Sequence, residues 1–414
     1  KIDFLGLKNL SNIQRTIDYI KKYKNIDIEL YKIPLDDKKV FEMLSQGDST
    51  GVFQLESPGI RKIMKRLKPN KLEDIVALLA LYRPGPLQSG MVDDFINRKN
   101  GKEKIEYPHK NLEIILKETY GVILYQEQVM KIASYMANYS LGEADLLRRA
   151  MGKKNFAIMR ENREKFIQRA VENNYTEEKA DEIFELIDKF AGYGFNKSHS
   201  VAYAMISYWT AYLKAHYPAF YFAAIMTSEI SETGDVAYYF NDAKEHRISI
   251  YPPNVNTPSA YFEIKNDGIS YSLAAIKNLG LNLAKKIVED YEKHGAYTKL
   301  DEFVLRNKKN GINKRALEAL ILSGALDELE GNRKEKFLSI DKVLDFVSKA
   351  PKTDEIQQMN LFGAASKTIN KFALTNSDDF NLDEKLTKEK EFLGFYLSSH
   401  PLDKYKDIIT AFSI

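Results

Sequence analysis

The sequence predicts a mainly α-helical protein made of several domains. Apolar residues recur every three or four positions through much of the chain, which is typical of amphipathic helices. Strand-like alternation is confined to short stretches, and one of them, YFEIKNDGISYSL, has a clear hairpin turn at Asn266-Asp267-Gly268. With 414 residues, 44% of them hydrophobic and 29% charged, the chain is long enough for two to four globular domains.

Composition restricts the classes of protein that fit. The absence of cysteine excludes disulfides, thiolate-ligated zinc and cysteine nucleophiles, and it is typical of a reducing compartment, so we expect a cytoplasmic protein. No secretory leader or apolar run of membrane-spanning length is present, so we expect no membrane partner. Because the first residue is Lys1, we expect a piece of a longer protein. The net charge of +3 does not by itself indicate nucleic-acid binding.

Most of the first 90 residues are predicted to be helical. KIDFLGL resembles the end of a buried strand, and its Asp3 has two interpretations, a cap for the next helix or a functional acid. GVFQLES, Gly51 to Ser57, alternates like a short strand. RPGPLQSG, Arg83 to Gly90, predicts a tight loop, rigid unless Arg83 meets an anion. Helices are predicted over four segments: Asn12 to Lys24, Asp36 to Gly47, Pro58 to Leu67 and Leu72 to Tyr82.

The segment LGEADLLRRAMGKK, Leu141 to Lys154, concentrates positive charge just after a predicted helix start. Glu143 and Asp145 suit the first turn of a helix because acids are favoured there. Four cations follow: Arg148, Arg149, Lys153 and Lys154. Such a cluster suits the oxygens of a polyphosphate, although basic clusters on helices are more often solvated surfaces.

A glycine-rich turn, FAGYGFNKSHS, precedes a helix rich in aromatic residues. Two long helices, Asn155 to Glu172 and Thr176 to Phe190, are predicted between it and the basic segment. Polar groups at the start of a helix favour an anion site, and here they are Asn196, Lys197, Ser198 and His199. Alternatively, Ser198 only caps the helix and His199 is structural. Farther upstream, the polar run at a strand-to-helix change is predicted to line a cleft: Gln126, Glu127 and Gln128.

The chain changes character near residues 249–259, where ISIYPPNVNTPS predicts a domain boundary. Beyond the hairpin, Leu279-Gly280-Leu281 between two predicted helices resembles a helix-hairpin-helix motif. In that motif the glycine allows backbone N–H groups to approach a DNA phosphate. A second copy is predicted around Gly311 to Leu326.

The region from Lys349 to Asp383 has little periodicity and predicts linkers between helices near Ile340 to Val347 and Glu389 to Leu397. Within it, QMNLF, Gln358 to Phe362, is suited to an apolar pocket of another protein. The alternative is that this short apolar stretch folds back onto its own domain.

Six motifs occur in the order found in the C family of bacterial replicative DNA polymerases: KIDFLGL, GVFQLES, ALYRPGPLQSGM, GVILYQEQVM, LLRRAMGKK and FAGYGFNKSHSVAYA. The chain resembles this family over nearly its whole length. The resemblance implies template-directed addition of deoxynucleotides to a primer 3′ end by two-metal nucleotidyl transfer, with Mg²⁺ as cofactor. It also implies four partners: primer-template DNA, the incoming dNTP, the sliding clamp and other replisome subunits.

The resemblance also assigns roles to individual residues. Asp3 matches the third metal-binding and catalytic aspartate of the family's palm domain, and Lys1 matches a lysine that approaches the triphosphate. Nucleotide binding is implied for Arg148, Arg149, Lys153, Lys154, Asn196, Lys197, Ser198 and His199. Duplex binding is implied for Leu279, Gly280, Leu281, Lys285 and Lys286. Clamp binding is implied for Gln358, Met359, Asn360, Leu361 and Phe362.

By the same resemblance the domains are a palm remnant at residues 1–6, a multi-helix fingers domain at 7–250 and a hairpin with a tandem helix-hairpin-helix module at 251–335. A partly irregular clamp-binding region at 336–414 leads toward an oligonucleotide-binding fold. Two further palm aspartates of the family have no counterpart in this sequence. One aspartate cannot hold two Mg²⁺ ions, so we expect the chain to be inactive alone and not to hold the metal stably.

Two other functions fit parts of the sequence. A non-catalytic scaffold that binds DNA and the clamp would bind no triphosphate. A metal-dependent nuclease is disfavoured, because the six histidines are scattered and no close cluster of acids and histidines has ligand spacing.

Overall fold

The computed structural model describes residues 6–153, 156–191, 193–349 and 372–412. The chain divides into two compact units, which we call the inserted unit, Ile28–His216, and the terminal unit, Lys1–Asp27 with Tyr217–Ile414. Both are built largely from helices, so the predicted fold class is confirmed. The predicted palm remnant lies almost entirely outside the described residues, and the QMNLF segment lies wholly outside them.

The terminal unit begins with helix α1 (Lys8–Lys24), which starts one turn earlier than the sequence predicts. Lysines fill its last turn, where cations are favoured by the helix dipole, and Asn25 ends it in the left-handed conformation with φ of 54°. Ile13 and Ile20 form its buried face.

The inserted unit contains helices α2 to α12. Their bounds are α2 (Lys38–Ser45), α3 (Pro58–Leu67), α4 (Leu72–Leu81), α5 (Pro84–Gln88), α6 (Met91–Lys99), α7 (Glu113–Leu116), α8 (Gln126–Ala137), α9 (Leu141–Lys153), α10 (Phe156–Glu172), α11 (Glu177–Ala191) and α12 (Lys197–His216). Buried α4 packs along α12, and the Ser200 hydroxyl donates a 2.6 Å hydrogen bond to the Val76 carbonyl. This packing fixes the N-terminal half of α12 in the core.

A second core in the inserted unit joins α8 to α11 and determines which side of α9 is exposed. Phe166 on α10 and Phe184 on α11 are buried in it, with ring centroids 5.4 Å apart. Leu147 and Met151 anchor α9 in the same core. The intervening Arg148 and Arg149 therefore lie toward the surface of the unit.

Two sequence predictions for the inserted unit are wrong. Gly51–Ser57 is not a strand but a pair of turns, because Gly51 and Gln54 have φ of 75° and 62°. Val52 and Phe53 are adjacent and both buried, unlike the alternating burial of a strand that has one exposed face. Arg83–Gly90 is not the predicted tight loop either. It contains α5, since Pro84 occupies the first helical position, where its ring fits without strain.

The terminal unit continues with helices α13 to α21 and a small sheet. The helices are α13 (Pro218–Ser228), α14 (Thr233–Glu245), α15 (Leu281–His294), α16 (Leu300–Asn307), α17 (Lys314–Leu322), α18 (Arg333–Leu338), α19 (Ile340–Lys349), α20 (Leu382–Leu393) and α21 (Lys406–Ala411). The strands are β1 (Ile250–Tyr251), β2 (Glu263–Lys265) and β3 (Gly268–Ser270), in the order β1-β3-β2.

The predicted hairpin is confirmed, since β2 and β3 pair antiparallel with Lys265 opposite Gly268. Asn266 and Asp267 between them have φ of 47° and 59°, which a tight primed turn requires. The stretch ISIYPPNVNTPS, predicted as a domain boundary, contains β1 near its start, and β1 pairs parallel to β3.

Two predicted helices of the terminal unit differ in the structure. The helix expected to end at Leu279 is only a 3₁₀ turn, Leu273–Ala275, followed by extended Ile276, where the helical hydrogen bonding stops. The helix expected at Glu389 to Leu397 is α20, which ends before Gly394 because that glycine takes φ of 90°. Phe395 just beyond it stacks on Phe240, with ring centroids 3.6 Å apart.

Candidate nucleotide-binding site

One carboxylate on α9 holds both arginines of the basic segment. Asp145 Oδ1 accepts hydrogen bonds from Arg148 Nε at 2.9 Å and Nη2 at 2.7 Å, and Oδ2 accepts one from Arg149 Nε at 2.7 Å. The hydrogen bond from Arg148 is the main cause that lowers the pKa of Asp145. The spacing D-x-x-R-R carries this signal, because residues three and four apart meet on a helix, but the sequence alone assigns Asp145 only to the helix start.

Glu143, the other acid in this part of α9, binds different cations. Its carboxylate accepts hydrogen bonds from Lys165 Nζ at 2.7 Å and Arg169 Nη1 at 3.2 Å, and from the Ser140 N–H at 2.9 Å. The Lys165 hydrogen bond is the largest of the contacts that lower the pKa of Glu143 far below its usual range. Glu143 thus ties α9 to α10 and leaves Arg148 and Arg149 to Asp145.

The start of α12 is held against the start of α8 by Glu127. Its carboxylate accepts hydrogen bonds from Asn196 Nδ2 at 3.0 Å and from the Lys197 N–H at 3.0 Å. Lys197 Nζ reaches Glu118 at 2.5 Å and lies over the Tyr125 ring, 5.4 Å from its centroid. Lys197 is therefore already paired in this conformation.

Gln126 joins the basic segment to the glycine-rich turn. Its backbone N–H donates to the Phe195 carbonyl at 2.9 Å, and its Nε2 donates to the Gly194 carbonyl at 3.3 Å. Its Oε1 lies 3.5 Å from Arg148 Nη1. The structure thus brings Arg148 close to the turn that begins α12, although these residues are far apart in the sequence.

The polar run at the start of α8 only partly lines a surface. Gln126 and Glu127 contact the start of α12, whereas Gln128 is 2% exposed. Its Oε1 accepts from the Leu124 and Tyr125 N–H groups, and its Nε2 donates to the Thr119 hydroxyl. Gln128 is therefore a buried structural residue, and its predicted place in a cleft is wrong.

The alternative interpretation of Ser198 as the cap of α12 is wrong. Asn196 Oδ1 accepts a 2.8 Å hydrogen bond from the His199 N–H, which makes Asn196 the cap and leaves Ser198 exposed. His199 is exposed as well, and its ring lies against Tyr203 with centroids 4.2 Å apart. Both side chains are thus available at the surface of the inserted unit.

Arg83 contacts backbone carbonyls and an aromatic ring among the described residues. It donates to the Tyr193 carbonyl at 2.7 Å and the Ala80 carbonyl at 2.9 Å, and its guanidinium lies 4.3 Å from the Phe195 ring centroid. Burial lowers its pKa. These contacts support the interpretation of Arg83 as a rigid structural residue that holds the glycine-rich turn.

Several predicted site residues fall outside what the structure describes. These are Lys1, Asp3, Lys154, the side chain of Lys153, and Gln358, Met359, Asn360, Leu361 and Phe362. Asp3 is the residue that the resemblance assigns to Mg²⁺. None of the helices in the described part of the chain is long and apolar enough to cross a membrane.

The predicted duplex-binding residues lie at a tight corner of the terminal unit. Gly280 has φ of 77° and ψ of 149°, a conformation open essentially only to glycine, and it offers no side-chain cap to the first turn of α15. Leu279 is buried, Leu281 is partly buried, and Lys285 and Lys286 are exposed. The first-turn N–H groups of α15 are therefore free of a side-chain cap next to two cations.

The second hairpin matches the helix-hairpin-helix pattern more closely than the first. Helices α16 and α17 flank Gly311, whose φ is 92°. Four exposed cations surround this corner and are not among the predicted duplex-binding residues: Lys308, Lys309, Lys314 and Arg315. The signal was visible in the sequence as KKNGINKR.

Comparison with known families agrees with this arrangement. Residues 9–174 match the family described as bacterial DNA polymerase III alpha subunit finger domain, and residues 247–336 match a helix-hairpin-helix motif. One segment of the chain is thus similar to the fingers domain of a bacterial replicative polymerase, and a later segment is similar to a helix-hairpin-helix motif.

Individual relatives extend the match to nearly the whole chain. DNA polymerase III subunit alpha of Aquifex aeolicus is 46% identical over 99% of the chain, and that of Borreliella burgdorferi is 44% identical over 100%. The Bacillus subtilis protein of the same name is 45% identical over 99%. The chain spans about a third of the length of these relatives (34%, 36% and 36%). The resemblance to the C family of polymerases is thus confirmed, and the chain is similar to about one third of a DNA polymerase III alpha subunit.

Proposed function

We propose that the inserted unit binds the triphosphate of an incoming dNTP for a replicative DNA polymerase. The observation that carries this proposal is the link from Arg148 through Gln126 to the turn that begins α12. This link gathers cations and hydrogen-bond donors from segments distant in sequence: Arg148, Arg149, Asn196, Lys197, Ser198 and His199. The proposal extends to Lys1, Lys153 and Lys154 by family resemblance alone.

The chemistry of this surface is electrostatic positioning. Arg148 and Arg149 have side chains 32% and 64% exposed, so phosphate oxygens can reach them. Guanidinium groups donate two parallel hydrogen bonds to phosphate, and fixed positive charge stabilises the charge that develops on a transferring phosphoryl group. Two Mg²⁺ ions, with Asp3 as one proposed ligand, would supply primer activation and leaving-group stabilisation in the whole protein.

The terminal unit is proposed to hold the product duplex. The corners at Gly280 and Gly311, with the lysines near them, would bind DNA phosphates without reading sequence. QMNLF is proposed to tether the protein to the sliding clamp, which raises the local concentration of polymerase on DNA. We retain the proposed division into a palm remnant at 1–6, fingers at 7–250, duplex-binding module at 251–335 and clamp-binding region at 336–414. Replication with other replisome subunits would place the protein in the cytoplasm.

The triphosphate proposal is tested by binding of a labelled dNTP with Mg²⁺ to the 414-residue chain. The double variant Arg148→Ala/Arg149→Ala should bind at least about tenfold more weakly, since two charge-assisted contacts are lost. The control Arg66→Ala/Arg160→Ala removes the same charge from two exposed surface ion pairs of the inserted unit. Equal weakening in both double variants would show that net charge, and not this site, determines binding.

The duplex proposal is tested with a second matched pair. Gly280→Ala and Gly295→Ala both place a side chain at positive φ, 77° and 76°, where a Cβ meets no described atom within 4 Å. Both should therefore cost similar stability, on the order of 1–3 kcal/mol. Only Gly280→Ala should weaken duplex binding at low salt. The alternative is a non-catalytic scaffold whose DNA contacts lie elsewhere. It would be favoured if the chain binds no dNTP and if Gly280→Ala leaves DNA binding unchanged.

A further inference from the structure

The way Asp145 contacts the two arginines leaves their outer edges available. Asp145 uses Nε and Nη2 of Arg148 and only Nε of Arg149. Among the described residues, the terminal nitrogens of Arg149 donate no hydrogen bond, and Nη1 of Arg148 makes only the long 3.5 Å contact with Gln126. The carboxylate thus occupies the inner side of both guanidinium groups.

We propose that Asp145 is a positioning residue that clamps Arg148 and Arg149 side by side for the phosphates of the nucleotide. This inference rests on the proposed triphosphate site and adds a residue to which no role in that site has been assigned. Asp145 remains in place when ligand binds, because the ligand approaches the terminal nitrogens that the carboxylate leaves free.

Two physical effects of Asp145 on triphosphate binding have opposite signs. Its negative charge lies beside the phosphates, so Coulomb repulsion alone predicts that its removal strengthens binding. Its hydrogen bonds restrict two long side chains that would otherwise lose rotamer freedom on binding, so its removal weakens binding through lost preorganisation. The site is exposed, with 30% of the Asp145 side chain accessible, so water weakens the repulsion. The positioning effect therefore dominates.

Glu143 provides a matched control two residues away on the same helix. It carries the same charge and is similarly exposed, with 28% of its side chain accessible. Its partners are Lys165 and Arg169, which the proposed site does not use. Neutralising Glu143 therefore removes one negative charge from α9 without releasing Arg148 or Arg149.

The experiment compares Asp145→Asn and Glu143→Gln with the unmodified chain by titration with a labelled dNTP and Mg²⁺ and, separately, with inorganic tripolyphosphate. Asp145→Asn should weaken the binding of both ligands roughly tenfold, which is the order expected when two side chains must be immobilised on binding. Glu143→Gln should change both by less than about threefold. Circular dichroism and thermal unfolding establish that each variant is folded.

A second readout detects the clamp without ligand. Hydrogen exchange of the arginine Nε–H protons, measured by NMR, should accelerate for Arg148 and Arg149 in Asp145→Asn but not in Glu143→Gln. Unchanged or tighter binding by Asp145→Asn, while Arg148→Ala/Arg149→Ala still weakens binding, overturns the positioning role and leaves the triphosphate site intact. If the double arginine variant binds like the unmodified chain, the triphosphate site itself is wrong and the role of Asp145 falls with it.

Discussion

Asp290 on α15 is expected to be a major source of stability in the helix-hairpin-helix region. The residue is 9% exposed, and its carboxylate accepts hydrogen bonds from Tyr297 Oη at 2.6 Å, Arg306 Nε at 2.8 Å and His294 Nδ1 at 3.0 Å. The Arg306 guanidinium also stacks 3.9 Å from the centroid of the Tyr297 ring. Asp290 therefore joins α15 to α16 and to the segment between them.

The cost of Asp290→Ala can be worked from what each partner retains. Arg306 keeps Glu302 at 3.1 Å and the Gly295 carbonyl at 2.8 Å, and the half-exposed His294 returns to water. Tyr297 is 1% exposed, and without Asp290 its hydroxyl keeps only the distant Ile287 carbonyl, 3.5 Å away, as an acceptor. A buried donor left nearly unsatisfied costs roughly 1–3 kcal/mol, and the weakened charge pairing adds to it, so we expect a total of about 3 kcal/mol.

Hydrogen exchange of peptides from α15 and α16, measured by mass spectrometry as a function of urea, gives the opening free energy of this region. The control is Asp341→Ala, which breaks a pair with Lys314 whose side chains are 77% and 61% exposed. That variant should cost less than about 1 kcal/mol. The reasoning is refuted if Asp290→Ala destabilises α15 and α16 no more than Asp341→Ala does.

Three further predictions concern the terminal unit. Lys336 is 1% exposed and its Nζ has no hydrogen-bond partner among the described residues, so Lys336→Met should raise the unfolding free energy by about 1–3 kcal/mol in urea titrations. Burial lowers the pKa of Lys336, so the increase in unfolding free energy caused by Lys336→Met should shrink as pH rises toward about 10.4. An increase that stays constant or grows with pH would contradict this prediction. Phe395→Ala removes the ring stacked on Phe240 and should cost about 3–5 kcal/mol by the same titration, and a loss under about 1 kcal/mol would show that the site collapses around the missing ring. Burial is the largest single influence on the pKa of Asp290 and raises it, but the hydrogen bonds from Tyr297 and Arg306 and the charge of Arg306 lower it, and the net effect is a lowered pKa. Its stabilisation is thus complete above the unfolded pKa of about 3.9 and lost as pH falls through the lower folded value, so stability should fall less steeply below pH 4 in Asp290→Asn than in the unmodified chain.

Local patterns in the sequence were enough wherever a structure depends on neighbouring residues. The bounds of α3 were predicted correctly because Pro58 suits a first helical position and its apolar residues fall on one face. The hairpin was predicted because Asn266 and Asp267 tolerate positive φ. The predicted strand at Gly51–Ser57 is wrong because a strand also depends on a partner that is distant in the sequence. Alternation indicated a strand, but no neighbouring strand is present to pair with it in the described inserted unit.

The sequence by itself determined the helical class, the hairpin and, through the order of six motifs, the family resemblance. The tertiary structure decided how the candidate site is assembled. Gln126 contacts Gly194, which is 68 residues away in the sequence, and Arg148, which is 22 residues away. Many polar residues lie at such separations, and the packing of the core determines which of them Gln126 contacts. The same packing buried Gln128, made Asn196 the cap of α12 and gave Arg83 backbone partners. Local propensities extend over a few residues, whereas these contacts form only when α8, α9 and α12 are held together by their shared cores.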